Sequence, residues 1–426
     1  MIEQLIKILN ESKLDGYKII NTETTANEFF FIGHKLDINR RKDVNHSLLT
    51  IYKALEDNKF LGSASQEIHP NQSAQEIKAI IAKLVYSAGF VKNPYYHLAT
   101  PKEVSLIAAP KIDALQVATD IIDVVYNIKE FQDQNINSYE VFVNERKVRI
   151  INSNHVDVNY ETLDSQIEII INARKDGHEI EIYRNFTAGN CDRAYLSEEI
   201  NRTLMVGRDR TNAFNTPNLK KHRVLLSGTN VVKLLSYYVD LTNVGNVYMQ
   251  ISDYKIGEAI FNDSVGDKIT LTAVASLPNS SKNAPYDEDG NPLSDRVLIT
   301  NNICKDYWGN EQFSQYVNKS EAGSYRNFVF GAGKQSQEIF KQEAYLHAVE
   351  FSDFQCDSAT GNFAGEIRLA YYYNGKEEIP VTGGSIAGNI KDIEQKMLLS
   401  SELKQYDNYM IPEFICLEDV AVTGIE

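Results

Sequence analysis

Hydrophobic and polar positions alternate with a helical period at the start of the chain. In MIEQLIKILNESKL, the apolar residues Ile2, Leu5, Ile6 and Leu9 share one face, and Glu and Lys lie between them. Such a stripe predicts an amphipathic helix that rests on an apolar surface. The segment has no continuous apolar stretch of the kind found in a signal peptide.

Two further segments have a helical pattern. In SAQEIKAIIAKLVYSAG, Ser73 is the predicted N-cap, Glu76 completes a capping box and Gly89 ends the helix. IDALQVATDIIDVVYNIKEF repeats the pattern, with a predicted stripe of Ile112, Leu115, Ile122 and Val125. We expect both helices to cover one face of a sheet.

Strand-like segments surround these helices. EFFFIGHKLDINRR and HSLLTIYKAL are rich in aromatic and β-branched residues and flank RKDVN, which predicts a solvated hairpin tip. Residues 139–183 predict long antiparallel strands, with turns at 144–146 and 175–177. Residues 190–207 return to a helical pattern, and the polar stretch 208–221 is the predicted domain boundary.

The second half of the chain is mostly strand and loop. Its strongest hairpin signal is the Asn374-Gly375 step in YYYNGKEEIPV. Helices are predicted after Gly228 and from about Asn389 to Ser400. The sequence therefore predicts an α+β protein: residues 1–210 form an N-terminal domain of antiparallel sheet with covering helices, and 220–426 a mostly antiparallel β domain with a few helices.

Composition narrows the classes of function. The 426 residues are 43% hydrophobic and 24% charged, with a net charge of -15 and a pI near 5.1, which argues against direct binding to nucleic acid. Arg40, Arg41 and Lys42 form a local basic cluster, but Asp37 and Asp43 flank it. No stretch approaches the length of a membrane span. The four cysteines form no C-x-x-C pair, so a reducing cytoplasm is the expected location.

Motifs for metal or nucleophilic chemistry are absent or imperfect. The chain has no H-E-x-x-H and no H-E-x-x-x-H, and its one His-Glu step, His178-Glu179, lies in a strand pattern. In YLHAVEFSDFQCDS, four candidate metal ligands occur at every third residue: His347, Glu350, Asp353 and Cys356. The apolar content of this segment nevertheless favours a strand. FGAGKQS and GGSIAGN lack the spacing of a phosphate loop and of a nucleophile elbow.

The segment RVLLSGTNVVKLLSYY predicts a buried strand followed directly by a helix. Corners of this kind often carry catalytic groups, because they expose polar atoms at the end of a rigid element. Between Val224 and Val232 there is no charged or imidazole side chain. We expect Ser227 and Thr229 to cap the helix and Asn230 to form local hydrogen bonds.

Several stretches resemble the TldD/PmbA family, which includes proposed modulators of DNA gyrase. The most specific is ATGNFAGEIRLAYYYNGKEEIPVTGGSIAGNIKDI; YDEDGNPLSDRVLITN, IPEFICLEDVAVTG, LGSASQEIHPNQSAQEI and VKNPYYHL are also similar. The resemblance implies an α+β N-terminal domain, a β-rich C-terminal domain and a paired assembly that acts as a peptidase on unfolded or small polypeptides.

The resemblance also implies where a metal would lie. Catalytic members carry His-Glu-x-x-x-His just after a VLL strand, and here Ser227, Gly228 and Val232 stand at the positions of the motif residues. These members also have a Cys-Gly-Lys element, which Cys416 does not replace. The chain thus resembles the PmbA/TldE type, so no catalytic, cofactor-binding or metal-binding residue is assigned to it.

Three hypotheses follow. The first is a non-catalytic subunit that pairs with a metal-bearing TldD-like homologue, in which zinc is expected, or that self-associates, and that helps to hold a peptide substrate. The second is an independent metallopeptidase with atypical ligands, such as His347 with Glu350. The third is a protein-binding regulator of a DNA-associated enzyme.

Overall fold

The computed structural model describes residues 2–102, 112–262 and 264–425. In the first half the helices are α1 (Ile2–Glu11), α2 (Ala74–Ala88), α3 (Ala114–Tyr126) and α4 (Arg193–Thr211). The strands are β1 (Gly16–Ile32), β2 (Lys35–Leu55), β3 (Phe60–Ile68), β4 (Asn93–Pro94), β5 (Gln134–Asn152), β6 (Asp157–Lys175) and β7 (His178–Ala188).

The second half is richer in short strands. Its helices are α5 (Thr229–Leu241), α6 (Val244–Tyr248), α7 (Glu311–Tyr316), α8 (Gln337–Phe340) and α9 (Ile390–Ile393). Its strands are β8 (Phe214–Asn215), β9 (Lys220–Ser227), β10 (Leu271–Val274), β11 (Arg296–Thr300), β12 (Ile303–Cys304), β13 (Asn327–Phe330), β14 (Tyr345–Cys356), β15 (Asn362–Tyr373), β16 (Glu378–Thr382), β17 (Ser385–Asn389), β18 (Leu398–Leu399), β19 (Leu403–Tyr406), β20 (Tyr409–Pro412) and β21 (Phe414–Thr423).

The first half folds around one antiparallel sheet with the strand order β4-β3-β2-β1-β5-β6-β7. One core, which includes Leu5, Ile19 and Leu49, joins α1 and α2 to β1 and β2. A second core packs α3 and α4 on β5 and β6. The helices thus cover one face of the sheet, which confirms the predicted α+β class.

Two predicted turns of this sheet are wrong. RKDVN lies inside β2, where Arg41 pairs with Asn27 of β1, and the hairpin turns instead at Gly33 and His34. Residues 144–146 likewise lie inside β5. Lys35 to His46 is almost entirely exposed, so no buried face imposes the apolar and polar alternation that marks a strand.

The sequence patterns that predicted α2 and α3 are only partly confirmed. Ser73 and Glu76 form the predicted capping box. The stripe predicted for α3 is wrong at Leu115, which is 53% exposed, because α3 buries Val117 and Ile121 instead.

The second half contains two sheets. One has the order β12-β11-β10-β13-β20-β19, and the other has the order β14-β9-β21-β17-β15-β16-β8. Because β14 also pairs with β15, the strands β14, β9, β21, β17 and β15 close into a ring around an apolar core. The Asn374-Gly375 hairpin forms as predicted, between β15 and β16.

The helix predicted from Asn389 to Ser400 is wrong, because α9 ends at Ile393. The chain then turns so that Leu398 and Leu399 pair with β21. Tertiary pairing has overridden the local helical pattern here.

The two halves are in direct contact. Nζ of Lys18 in β1 lies 2.5 Å from an Asp289 carboxylate oxygen, and the Tyr371 hydroxyl donates to Asp209 at 2.6 Å. Among the described residues, no helix is long and apolar enough to cross a membrane.

Candidate functional site at the β9–α5 corner

The predicted strand-to-helix corner is present in the structure. β9 ends at Ser227, Gly228 makes the turn, and α5 begins at Thr229. β9 lies between β14, which is parallel to it, and β21, which is antiparallel. The corner is therefore held on both sides by neighbouring strands.

The polar side chains of the corner bind the neighbouring strand β14 and do not cap the helix. Ser227 Oγ lies 2.8 Å from Nε2 of His347, and Nδ2 of Asn230 donates to the Val349 carbonyl at 3.0 Å. The N-cap position is Gly228, and no side chain caps α5 there. The predicted capping by Ser227 and Thr229 is thus wrong, because parallel pairing brings His347 opposite Leu225 and within reach of Ser227.

His347 lies among aromatic rings near the corner. Its ring centroid is 5.2 Å from that of Phe414 and 6.1 Å from that of Tyr371. Burial, together with the positive charges of Lys341 and Arg202, lowers the pKa of His347 to about 3. His347 is therefore neutral at physiological pH and shares a hydrogen bond with Ser227.

The other candidates on β14 do not converge with His347. Glu350 forms an ion pair with Arg184 of β7, in which Nη1 lies 3.1 Å from Oε1. Asp353 is exposed. Burial raises the pKa of the Cys356 thiol to about 12. Within 2–102, 112–262 and 264–425, no three His, Cys, Asp or Glu side chains form a group that could hold a metal.

His178 and Glu179, the one His-Glu step, are exposed residues at the start of β7. An ion pair joins Glu179 to Arg174 at 2.7 Å. The step therefore lies on a surface strand, as its alternating pattern predicts.

The residues at the motif positions do not fit zinc. Zinc in proteins is bound by thiolate, imidazole and carboxylate groups, whereas the corner offers a hydroxyl at Ser227, hydrogen at Gly228 and an isopropyl group at Val232. Cys416, in the neighbouring strand β21, is 1% exposed, and burial raises its pKa to about 12. Zinc binding by Cys416 would therefore require the release of its thiol proton.

No pattern in the sequence indicates that Ser227 and His347 are partners. They are 120 positions apart, and neither belongs to a recognisable motif. The one feature of the sequence that bears on this contact is the apolar stretch around His347, which is typical of a buried strand.

Comparison with known proteins places these features in a family. Residues 219–424 match the family described as the PmbA/TldA metallopeptidase C-terminal domain. An uncharacterised protein of Methanocaldococcus jannaschii is 26% identical over 283 residues, which cover 63% of this chain and 65% of that protein. A metalloprotease TldD homologue of Buchnera aphidicola is 24% identical over 170 residues, or 35% of each chain. The chain thus spans less than two thirds of the length of these relatives.

Solved structures share the fold over nearly the full length. TldE from Thermococcus kodakarensis superposes with a TM-score of 0.79 at 17% identity, and the match covers 99% of this chain and 100% of that one. A proposed modulator of DNA gyrase from Bacteroides thetaiotaomicron gives a TM-score of 0.77 at 14% identity, with 99% and 98% covered. Residues 219–424 therefore belong to the metallopeptidase-like TldD/PmbA family, and the chain as a whole shares the fold of these solved structures.

Proposed function

We propose that this protein is a non-catalytic subunit of the PmbA/TldE type, which pairs with a metal-bearing TldD-like homologue. The complex would cleave unfolded or small polypeptides in the cytoplasm, and the partner would supply the zinc. One observation carries the proposal: Ser227, Gly228 and Val232 occupy the motif positions and provide no strong zinc ligand.

The geometry of the corner supports a structural role for its polar atoms. A metallopeptidase needs protein ligands that leave one metal position open for water. Here Ser227 is 2% exposed and bonded to His347, and Asn230 is 7% exposed and bonded to β14. Ser227, which stands at a ligand position, and Asn230, which lies between the motif positions, therefore stabilise the contact between β9, α5 and β14.

The fold offers a surface suited to an extended chain. From Lys35 to His46, β2 pairs with β1 on one side, while β3 pairs with β2 only from Ser47 onwards. An exposed strand edge can accept a further strand through its backbone. We propose this edge as a place where a partner or a peptide could add.

The test is reconstitution with a TldD-like homologue that carries His-Glu-x-x-x-His. Each purified protein and their mixture would be assayed on a fluorogenic peptide, with zinc measured by elemental analysis and association by analytical ultracentrifugation. We expect the mixture to form a complex and cleave, with zinc in the homologue alone. A homologue whose motif Glu is changed to Gln is the control. Failure of the two proteins to associate would refute the proposal.

The same zinc measurement tests an independent metallopeptidase. That hypothesis requires His347 and Glu350 to share a metal, whereas their side chains bind Ser227 and Arg184. Stoichiometric zinc and cleavage in the isolated chain would favour it over the subunit proposal.

A regulator of a DNA-associated enzyme is the remaining hypothesis. The description of the Bacteroides structure motivates it, and the net charge of -15 favours contact with a protein over contact with DNA. Recovery of such an enzyme on the immobilised chain, with no TldD-like homologue bound, would support it.

A further inference from the structure

The sheet of the first half leaves one face without helices, and a cleft lies on that face. In successive strands, Leu48 of β2 pairs with Ile20 of β1, and Ile20 pairs with Ile150 of β5. These side chains and Val148 form an apolar floor. The cleft has a volume of about 440 Å³, which is within the range of small-ligand sites.

Two arginines from different halves of the protein line the cleft. Arg146 comes from β5, and Arg326 comes from the residue before β13. Arg326 donates to Glu288 at 2.8 Å, and Arg146 contacts Asp164. A guanidinium has five N–H donors, so each arginine keeps donors for a further acceptor.

The two guanidiniums act on each other electrostatically. Burial lowers the pKa of Arg146, and the positive charge of Arg326 lowers it further. An anion placed between them would relieve this repulsion. A carboxylate suits the position, since guanidinium binds its two oxygens through paired hydrogen bonds.

We propose that this cleft binds the C-terminal carboxylate of a short peptide. Arg146 and Arg326 hold the carboxylate, and the last side chain of the peptide rests on Ile20 and Leu48. Leu48 is 43% exposed, so an apolar side chain would remove it from water. This proposal rests on the proposed function, in which the complex cleaves small polypeptides. It adds that this chain would hold the C-terminal end of the peptide.

The carboxylate and the apolar floor together select a peptide over other anions. Glu67 and Glu288 also line the cleft, so its charge is nearly balanced and does not favour a highly charged ligand such as a polyphosphate. A small inorganic anion would use the arginines but not the floor. The test therefore varies the carboxylate and the last side chain separately.

The experiment is isothermal titration of the full chain, without a partner, with N-acetyl-Ala-Ala-Leu. We expect the C-terminal amide of this peptide, and the analogue ending in Gly, each to bind at least tenfold more weakly. Arg326→Met should weaken binding at least tenfold. Lys147→Met is the matched control, because Lys147 is next to Arg146 in β5, points to the opposite face and is 68% exposed.

Arg146→Met removes the cation that pairs with Asp164, whose remaining partner is the side-chain amide of Asn144, and this change would also destabilise the sheet. The double variant Arg146→Met with Asp164→Asn removes the charge of Asp164 as well and keeps the test of Arg146 interpretable. We expect it to lose binding while its circular dichroism spectrum stays that of the wild type.

Three results would overturn the proposal: no binding of the acid peptide, equal binding of acid and amide, or displacement of the peptide by equimolar inorganic phosphate. Because the titration uses the isolated chain, its failure is separate from failure of reconstitution. A chain that binds no peptide could still activate a TldD-like homologue, and the reverse could also occur.

Discussion

The backbone at Gly228 gives the sharpest test of the corner. Its φ of +68° and ψ of -148° lie in a region used almost only by glycine. A Cβ at this position would meet no atom within 4 Å, so Gly228→Ala adds strain without a steric clash. Such strain costs about 1–3 kcal/mol, and the lower freedom of the unfolded alanine chain offsets about 0.4–1 kcal/mol of it.

We therefore expect Gly228→Ala to lower the free energy of unfolding by about 1–2 kcal/mol, roughly a 5- to 30-fold change in the unfolding equilibrium. Trp308 is a suitable probe, since it is the one tryptophan in the sequence and its indole N–H donates to the Val239 carbonyl of α5 at 2.9 Å. Urea unfolding followed by its fluorescence reports on the half that contains the corner.

Thr229→Ala is the control for Gly228→Ala. Thr229 is the next residue and is exposed, so we expect its substitution to change stability by less than about 0.5 kcal/mol. If Gly228→Ala were as stable as the wild type, the backbone conformation with positive φ at Gly228 would be refuted.

Three further predictions use the same fluorescence assay. Ser227→Ala removes the partner of Nε2 of His347 and should cost about 1–3 kcal/mol; a loss no larger than that of Thr229→Ala would contradict this. His347 has a pKa of about 3 in the folded protein and its ordinary pKa of 6.5 in the unfolded chain. Between these pH values the unfolded chain binds more protons, so the wild type should lose stability as the pH falls from 6.5 towards 3. His347→Gln should lose less between pH 7 and pH 5, and equal losses would refute the assignment. Burial raises the pKa of Glu394 from 4.5 to about 7, so this carboxyl should reduce the stability of the protein as the pH rises from 4.5 to 7. The stability of Glu394→Gln should therefore change less than that of the wild type between pH 5.5 and pH 8. An equal change in both proteins would count against the raised pKa.

The sequence predicted those parts of the fold that depend on neighbours in the chain. The capping box of Ser73 and Glu76 and the Asn374-Gly375 hairpin are local hydrogen-bonding and turn preferences, and both are present. The strand and helix around Gly228 were also predicted, because their buried faces impose different apolar periods.

Features that depend on distant strands could not be predicted in the same way. Arg41 was placed in a turn, although it lies in a long strand whose side chains are exposed there. His347 was considered only with its neighbours on β14, since a pattern in sequence does not show that β14 runs parallel to β9. The pairing of Ser227 with His347 is a product of that topology.

Introducing the His-Glu-x-x-x-His motif at this corner would therefore require more than the substitution of its ligand positions. A histidine in place of Ser227 would remove the hydrogen-bond partner of His347 at a position that is 2% exposed. A glutamate in place of Gly228 would have to adopt a backbone that non-glycine residues avoid, or shift the start of α5. Each step back towards the motif opposes a feature that now stabilises the corner. The corner of this chain is thus a structural joint between β9, α5 and β14, and under the proposed function an assembly that contains it would draw its metal ligands from another chain.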